Sequence, residues 1–250
     1  MKTKVLFSTA VLLAGSLMMA NAAPKDDVLT AAKALGNQAN YSWKSTVANA
    51  GGGGGRGGGP GEGKSEKDGY TWVSMAQRGG TAEAVMKGDK SAAKTQDTGW
   101  QSLADLAKAD AGGGGFNPNT FLVTTVQTFK TPAAQAADLA EKAKEIKKGD
   151  DAYSGDLTDD GAKALLTLGR PTTGDNATTA ANAKGSVKFW IKDGQLTKYE
   201  THLTGTISFN GNDREVDRTT TVEIQNVGAT KVEVPDEAKK ALNPAAAAKP

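Results

Sequence analysis

The sequence predicts an α+β fold, a strongly curved antiparallel sheet with helices packed on its concave face. Three observations carry this. Residues 185 to 227 read as three consecutive strands joined at Asp193-Gly194 and Asn210-Gly211, dipeptides that favour tight hairpins. The middle strand, Gln195 to Phe209, would span roughly 50 Å at about 3.4 Å per residue, far beyond an ordinary strand, so it must coil. Between Trp100 and Leu168 apolar residues recur at helical spacing and supply a covering layer.

Parity fixes the register of the C-terminal strands, because a one-residue slip would turn every side chain over. A two-residue Asn210-Gly211 loop pairs Phe209 with Asn212, Ile207 with Arg214, Gly205 with Val216, Leu203 with Arg218, Tyr199 with Val222 and Thr197 with Ile224. The other face then pairs Ser208 with Asp213, Thr206 with Glu215, His202 with Thr219 and Lys198 with Glu223, which is polar throughout and therefore solvated. For the first hairpin a two-residue loop would set Phe189 against Lys198. A three-residue loop, Lys192-Asp193-Gly194 with Gly194 left-handed, sets Val187 against Tyr199 and is the expected form. Gly205 is the natural bend in the long strand.

The chain opens with Lys2 and Lys4, an apolar run from Val5 to Met19 and the small-residue pattern Ala20-Asn21-Ala22, which reads as a signal peptide, residues 1–22. The expected location is the bacterial periplasm or outside the cell. The chain has no cysteine, and removing Lys2 and Lys4 leaves 28 basic and 28 acidic residues, so no electrostatic footprint for nucleic acid is expected. No later apolar run is long enough to span a bilayer. Residues 23–243 are expected to form one domain, followed by a flexible tail over 244–250.

Within that domain, Asp26 to Leu35 has helical spacing stopped by Gly36, and Asn40 to Val47 alternates as a half-buried strand. Residues 50–66 form a glycine-rich insertion expected to be disordered. Gly58 to Ser65, GGPGEGKS, formally matches the phosphate-cradling P-loop pattern, but glycine precedes it and a strand follows, the reverse of the context that pattern needs. Strands are expected at Tyr70 to Gln77, Thr81 to Gly88 and Ser91 to Thr95. Helices follow at Trp100 to Ala109, after Asn119, where the β-branched content of FLVTTV leaves strand as the alternative, after Thr131-Pro132 and after Thr158. Arg170 to Lys184 reads as irregular, Lys231 to Val234 as a last strand and Pro235 to Leu242 as a terminal helix.

Residues suited to catalysis are sparse. His202, the single histidine, falls on the solvated face, away from any nucleophile. The cluster Asp150, Asp151, Asp156, Asp159 and Asp160 lacks calcium-loop spacing, and no cysteine or histidine set could hold zinc. No enzyme activity, metal or cofactor is therefore expected. The concave face would carry Tyr41, Trp43, Val187, Phe189, Ile191, Tyr199, Leu203, Ile207, Val222 and Ile224, with Arg218 inward opposite Leu203. All of these except Ile207 are the ten candidate ligand-binding residues. The chain's own helices fill such a face by default; a lipid or acyl chain is the functional alternative, with an anionic headgroup on Arg218.

GSVKFWIKDGQLTKYE and the closing TTTVEIQNVGATKVEVPDEAKKAL, set behind a leading helix, a first meander and a helical block, resemble the bacterial outer-membrane lipoprotein carrier and related periplasmic lipid-binding lipoproteins, the LolA-like superfamily. The resemblance implies an open half-barrel, lidded by helices, that accepts acyl chains. The carrier latches its lid with an inward basic residue on an early strand; here the first strand offers only Lys44, on the parity opposite Tyr41 and Trp43. The leading expectation is a lipid or other hydrophobic ligand held between sheet and helices. The alternative is a non-enzymatic envelope protein with a filled core, presenting Trp190 and Leu196 on its outer face to an envelope partner.

Overall fold

The computed structural model describes residues 23–50, 61–77, 80–109, 118–168, 170 and 177–243. The expected signal peptide over residues 1–22, most of the glycine-rich insertion and the expected tail of 244–250 lie outside them. Helix α1 (Pro24–Gly36) leads into strands β1 (Asn40–Asn49), β2 (Glu62–Glu66), β3 (Thr71–Gln77), β4 (Gly80–Lys87), β5 (Lys90–Lys94) and β6 (Gln101–Ser102). The helical block is α2 (Leu103–Ala109), α3 (Pro118–Gln127) and α4 (Pro132–Lys142), followed by β7 (Lys147–Lys148), β8 (Tyr153–Asp156) and α5 (Asp159–Leu166). The chain closes with β9 (Thr179–Lys192), β10 (Gln195–Phe209), β11 (Asn212–Gln225) and α6 (Asp236–Leu242).

All eleven strands form one curved, unclosed antiparallel sheet in the order β6-β5-β4-β3-β2-β1-β11-β10-β9-β8-β7. The two meanders join where β1 pairs with β11, from Ser42 opposite Gln225 to Asn49 opposite Arg218. The helix starts follow their caps: Ala134 N–H donates to Thr131 Oγ1 at 3.4 Å and Gly161 N–H to Thr158 Oγ1 at 3.0 Å. Helices α1, α4 and α5 bury apolar faces against β9, β10 and one another. Helix α6 departs from the expected arrangement. Its Ala238 and Leu242 pack with Val85 and Ala92, whereas neighbouring Ala84 and Ala93 belong to the main core, so α6 covers the opposite face of β4 and β5.

The second hairpin has the expected register from Phe209 opposite Asn212 to Lys198 opposite Glu223, and the ladder stops short of the expected Thr197–Ile224 pair, since Thr197 is a bulge. The first hairpin differs. Gln195 pairs with Lys192, so the loop is the two-residue Asp193-Gly194, both left-handed at φ 51° and 75°. The one-residue shift that apolar pairing requires is present, but as a bulge in β10 at Thr197, whose hydroxyl donates to the Trp190 carbonyl at 3.1 Å. Tyr199 consequently pairs with Phe189 rather than Val187. Leu196, opposite Ile191, is buried and not on the outer face.

Three further expectations are corrected. The glycine-rich insertion is shorter than the expected 50–66 at its C-terminal end, because Glu62–Glu66 is a strand bonded to β1 on one side and β3 on the other. This also disposes of the P-loop pattern: Gly63 lies under Trp43, where a Cβ would sit 2.1 Å from the indole, so close packing accounts for the glycine. Strand β9 begins at Thr179, well inside the segment read as irregular. A second bulge at Asn182-Ala183, opposite Gly205, lets it pair through a polar stretch. Gly205 has φ 150°, and a Cβ there would meet Leu166 at 2.8 Å. Residues 231–234 form no strand; the segment is tied down instead by Val232 N–H donating to Glu66 Oε1 at 2.8 Å.

Candidate functional site

The concave face is organised as lateral rows, which the register makes explicit. Ser45, Val222, Tyr199, Phe189 and Tyr153 form one row across β1, β11, β10, β9 and β8. Trp43 and Ile224 are the neighbouring pair on one side. On the other, Asn49, Arg218, Leu203 and Gly185 make a parallel row, and Arg214, Ile207 and Ala180 one further along. Of the ten candidate residues, Tyr41, Trp43, Val187, Phe189, Tyr199, Leu203 and Val222 are buried, and Ile191, Ile224 and Arg218 are half-buried. They share one face, but they do not line one open chamber: Phe189 is 0% and Val187 1% exposed beneath the chain's own helices.

Hydroxyl groups tie those helices to the sheet. Tyr199 Oη donates to Gln135 Oε1 on α4, and Tyr153 Oη donates to Asp27 Oδ2 on α1 at 2.9 Å. Tyr41 stands beside the start of α4; burial pushes its pKa up, partly offset by hydrogen bonds from the Thr131 side chain and the Ala133 backbone. Burial, then the nearby Tyr41, holds Tyr199 well above the ordinary tyrosine range. Phe129, just beyond α3, stacks on Trp43 with ring centroids 6.1 Å apart. Sequence reading did not single out Gln135, Phe129 or Tyr153, since nothing in local periodicity says which helix residue meets which strand. Lys44, the basic residue of β1, is exposed.

The opposite end of the concave face is basic. Arg214 and Arg218 point inward from β11, four residues apart, while Asp213, Glu215 and Asp217 alternate with them on the outer face and bond Ser208, Thr206 and His202 there. Arg218 Nε is buried with no hydrogen-bond partner, and no ion pair among the described residues involves Arg170, Arg214 or Arg218. Burial, then the charge of Arg170, draws the Arg218 pKa down; burial, then Arg214, does the same to Arg170. The internal carboxylate that would make Arg218 a structural ion pair is thus missing among the described residues. Arg214 was legible in the parity, opposite Ile207; Arg170, beyond α5, was not.

A concavity of about 370 Å³ lies elsewhere, at the β7–β8–β9 edge, lined mainly by polar residues including Glu145, Lys147, Asp156 and Lys188. Among the described residues no group of three or more His, Cys, Asp or Glu side chains could hold a metal ion, and no helix is long and apolar enough to cross a membrane.

The molecule is therefore an α+β half-barrel with an apolar, helix-covered concave face. No family profile and no curated protein matches the chain. Similar solved structures include the lipoprotein LppX of Mycobacterium tuberculosis, at 10% identity and TM-score 0.42, covering 85% of this chain and 98% of that one. LprF of Mycobacterium bovis is similar at 13% identity and TM-score 0.42, covering 86% and 97%. A LolA superfamily protein from Nitrosomonas europaea is similar at 9% identity and TM-score 0.32, covering 86% and 96%. These likenesses are of overall layout.

Proposed function

We propose that the chain is exported to the periplasm or beyond the cell, and that it holds a lipid or other hydrophobic ligand between its curved sheet and the helices over it. The observation that carries this reading is the apolar row running across β11, β10 and β9 of an unclosed sheet, covered by short helices fastened through a few tyrosine hydroxyls. An unclosed sheet covered by separate helices can admit a ligand by moving a helix, without breaking a strand pair. The protein's own side chains occupy that face. Ligand binding accordingly means displacement of α3 and α4 from Trp43, Tyr41 and Tyr199.

The test uses the uncharged fluorescent probe N-phenylnaphthylamine with the wild-type chain and Tyr199→Phe. Losing the hydroxyl leaves Gln135 without its donor and loosens α4, so the variant takes up probe several-fold faster at about 1 kcal/mol lower stability. Absence of probe uptake by both, together with no lipid extractable from protein exported in a bacterial host, would defeat the proposal. The near-complete burial of Phe189 and Val187 favours a second reading, an envelope interaction protein with a filled core. Trp190, half-buried on the outer face under Lys198 Nζ at 3.8 Å, is its candidate contact. Under that reading Trp190→Ala abolishes capture of an envelope partner while probe uptake stays at zero.

A further inference from the structure

The three arginines at one end of the concave face are unexplained by packing. The strand that carries Arg214 and Arg218 also carries Asp213, Glu215 and Asp217, yet alternation sends all three carboxylates to the outer face. The inner face of this end thus collects cations that no carboxylate among the described residues neutralises. Arg218 Nε is shut off from solvent and has no hydrogen-bond partner, and Arg170 follows α5, whose Leu166 lies over Gly205, opposite Val216 and so between Arg214 and Arg218 on β11. A part-buried guanidinium with its Nε unpartnered and no carboxylate among the described residues is destabilising, so its place in the fold suits an added anion. The same end carries another buried, unpartnered polar atom, Thr178 Oγ1, beside the start of β9. It also carries the two large apolar side chains exposed among the described residues, Leu168 at 55% and Phe209 at 41%.

We propose, building on the hydrophobic-ligand reading above, that Arg218 with Arg170 and Arg214 forms a binding site for the phosphate group of an anionic amphiphile, whose apolar part lies along the concave face where the helices are displaced. Phosphate fits better than carboxylate. Three guanidinium groups offer more donors and more charge than one carboxylate can match, whereas a phosphate monoester presents up to three oxygens and close to two negative charges. Arg218 is the inner contact; Arg170 and Arg214, both exposed in part, close on the phosphate from the solvent side.

The experiment measures binding of three probes to the full chain by calorimetry: lysophosphatidate, the monoacylglycerol with the same acyl chain, and inorganic phosphate. The expected result is lysophosphatidate binding about tenfold or more tighter than monoacylglycerol, the scale of a charge-assisted hydrogen bond, with inorganic phosphate weaker than both. Arg218→Gln abolishes that difference. Arg170→Gln, at an exposed position, reduces it several-fold and guards against a folding defect in the first variant. Equal affinity for lysophosphatidate and monoacylglycerol overturns the phosphate site while leaving the hydrophobic-ligand reading intact. Inorganic phosphate binding as tightly as lysophosphatidate, with no monoacylglycerol binding, sinks the amphiphile and the hydrophobic-ligand reading together and assigns the arginines to a free anion.

Discussion

Two regions of this molecule gather cations, and they treat them in opposite ways. On α4, Asp138 takes Lys130 at 2.8 Å and Lys142 at 2.6 Å, so two lysines share one carboxylate at the edge of the covering layer. At the far end of the concave face Arg170, Arg214 and Arg218 share none among the described residues. The first arrangement supports the fold and leaves both lysines with water on one side. The second puts a guanidinium partly out of water without compensation, which folding alone has no reason to retain. The contrast separates residues that hold the helices down from residues that wait for something else.

That separation is most exposed to failure at the apolar row. Phe189→Ala removes a fully buried ring between Tyr199 and Tyr153 and is expected to destabilise the fold by about 3–5 kcal/mol in urea denaturation. A loss under about 1 kcal/mol would mean the concave face is loosely filled and already open. Gly63→Ala drives a methyl into the Trp43 indole and should lower stability by about 1–3 kcal/mol, with a red shift in tryptophan fluorescence as the ring is displaced. Arg218→Leu has the opposite sign. Removing an uncompensated, part-buried charge on the inner face is expected to raise stability by on the order of 1 kcal/mol. Were Arg218→Leu as damaging as Phe189→Ala, the arginine would be a structural element and the contrast would collapse.

Much of this was legible in the sequence, and the limits have physical reasons. The Asn210-Gly211 hairpin and its register follow from alternation, because one buried face makes a slip costly. Alternation also turned Arg214 and Arg218 inward. The first hairpin shows where the argument stops: parity demands one extra residue but is indifferent to whether it sits in the turn or in the strand. The strand took it, at Thr197, which also buried Leu196. Strand β2 was hidden because glycine lowers strand propensity, while what selects Gly63 is a tryptophan twenty residues away in sequence. Arg170, Gln135 and Phe129 reach the site through helix placement on the sheet, a tertiary outcome that local periodicity does not encode.

The smallest expected effect tests the other half of the contrast. Burial alone would raise the Asp138 pKa, but hydrogen bonds from Lys130 and Lys142 and their charges outweigh it and hold the carboxyl below its ordinary value. A depressed folded-state pKa means that Asp138 contributes its stability above the unfolded carboxylate pKa near about 3.9 and loses it as pH falls through the lower folded value. With about a quarter of the side chain exposed, solvent screening keeps the contribution to about 1 kcal/mol or less. Asp138→Asn should therefore lower stability slightly at neutral pH and leave it unchanged at about pH 2, narrowing the gap between the two conditions in urea titrations. An equal loss at both pH values would show that Asp138 acts through packing, and the lysine pair would no longer serve as the neutralised counterpart to the three arginines.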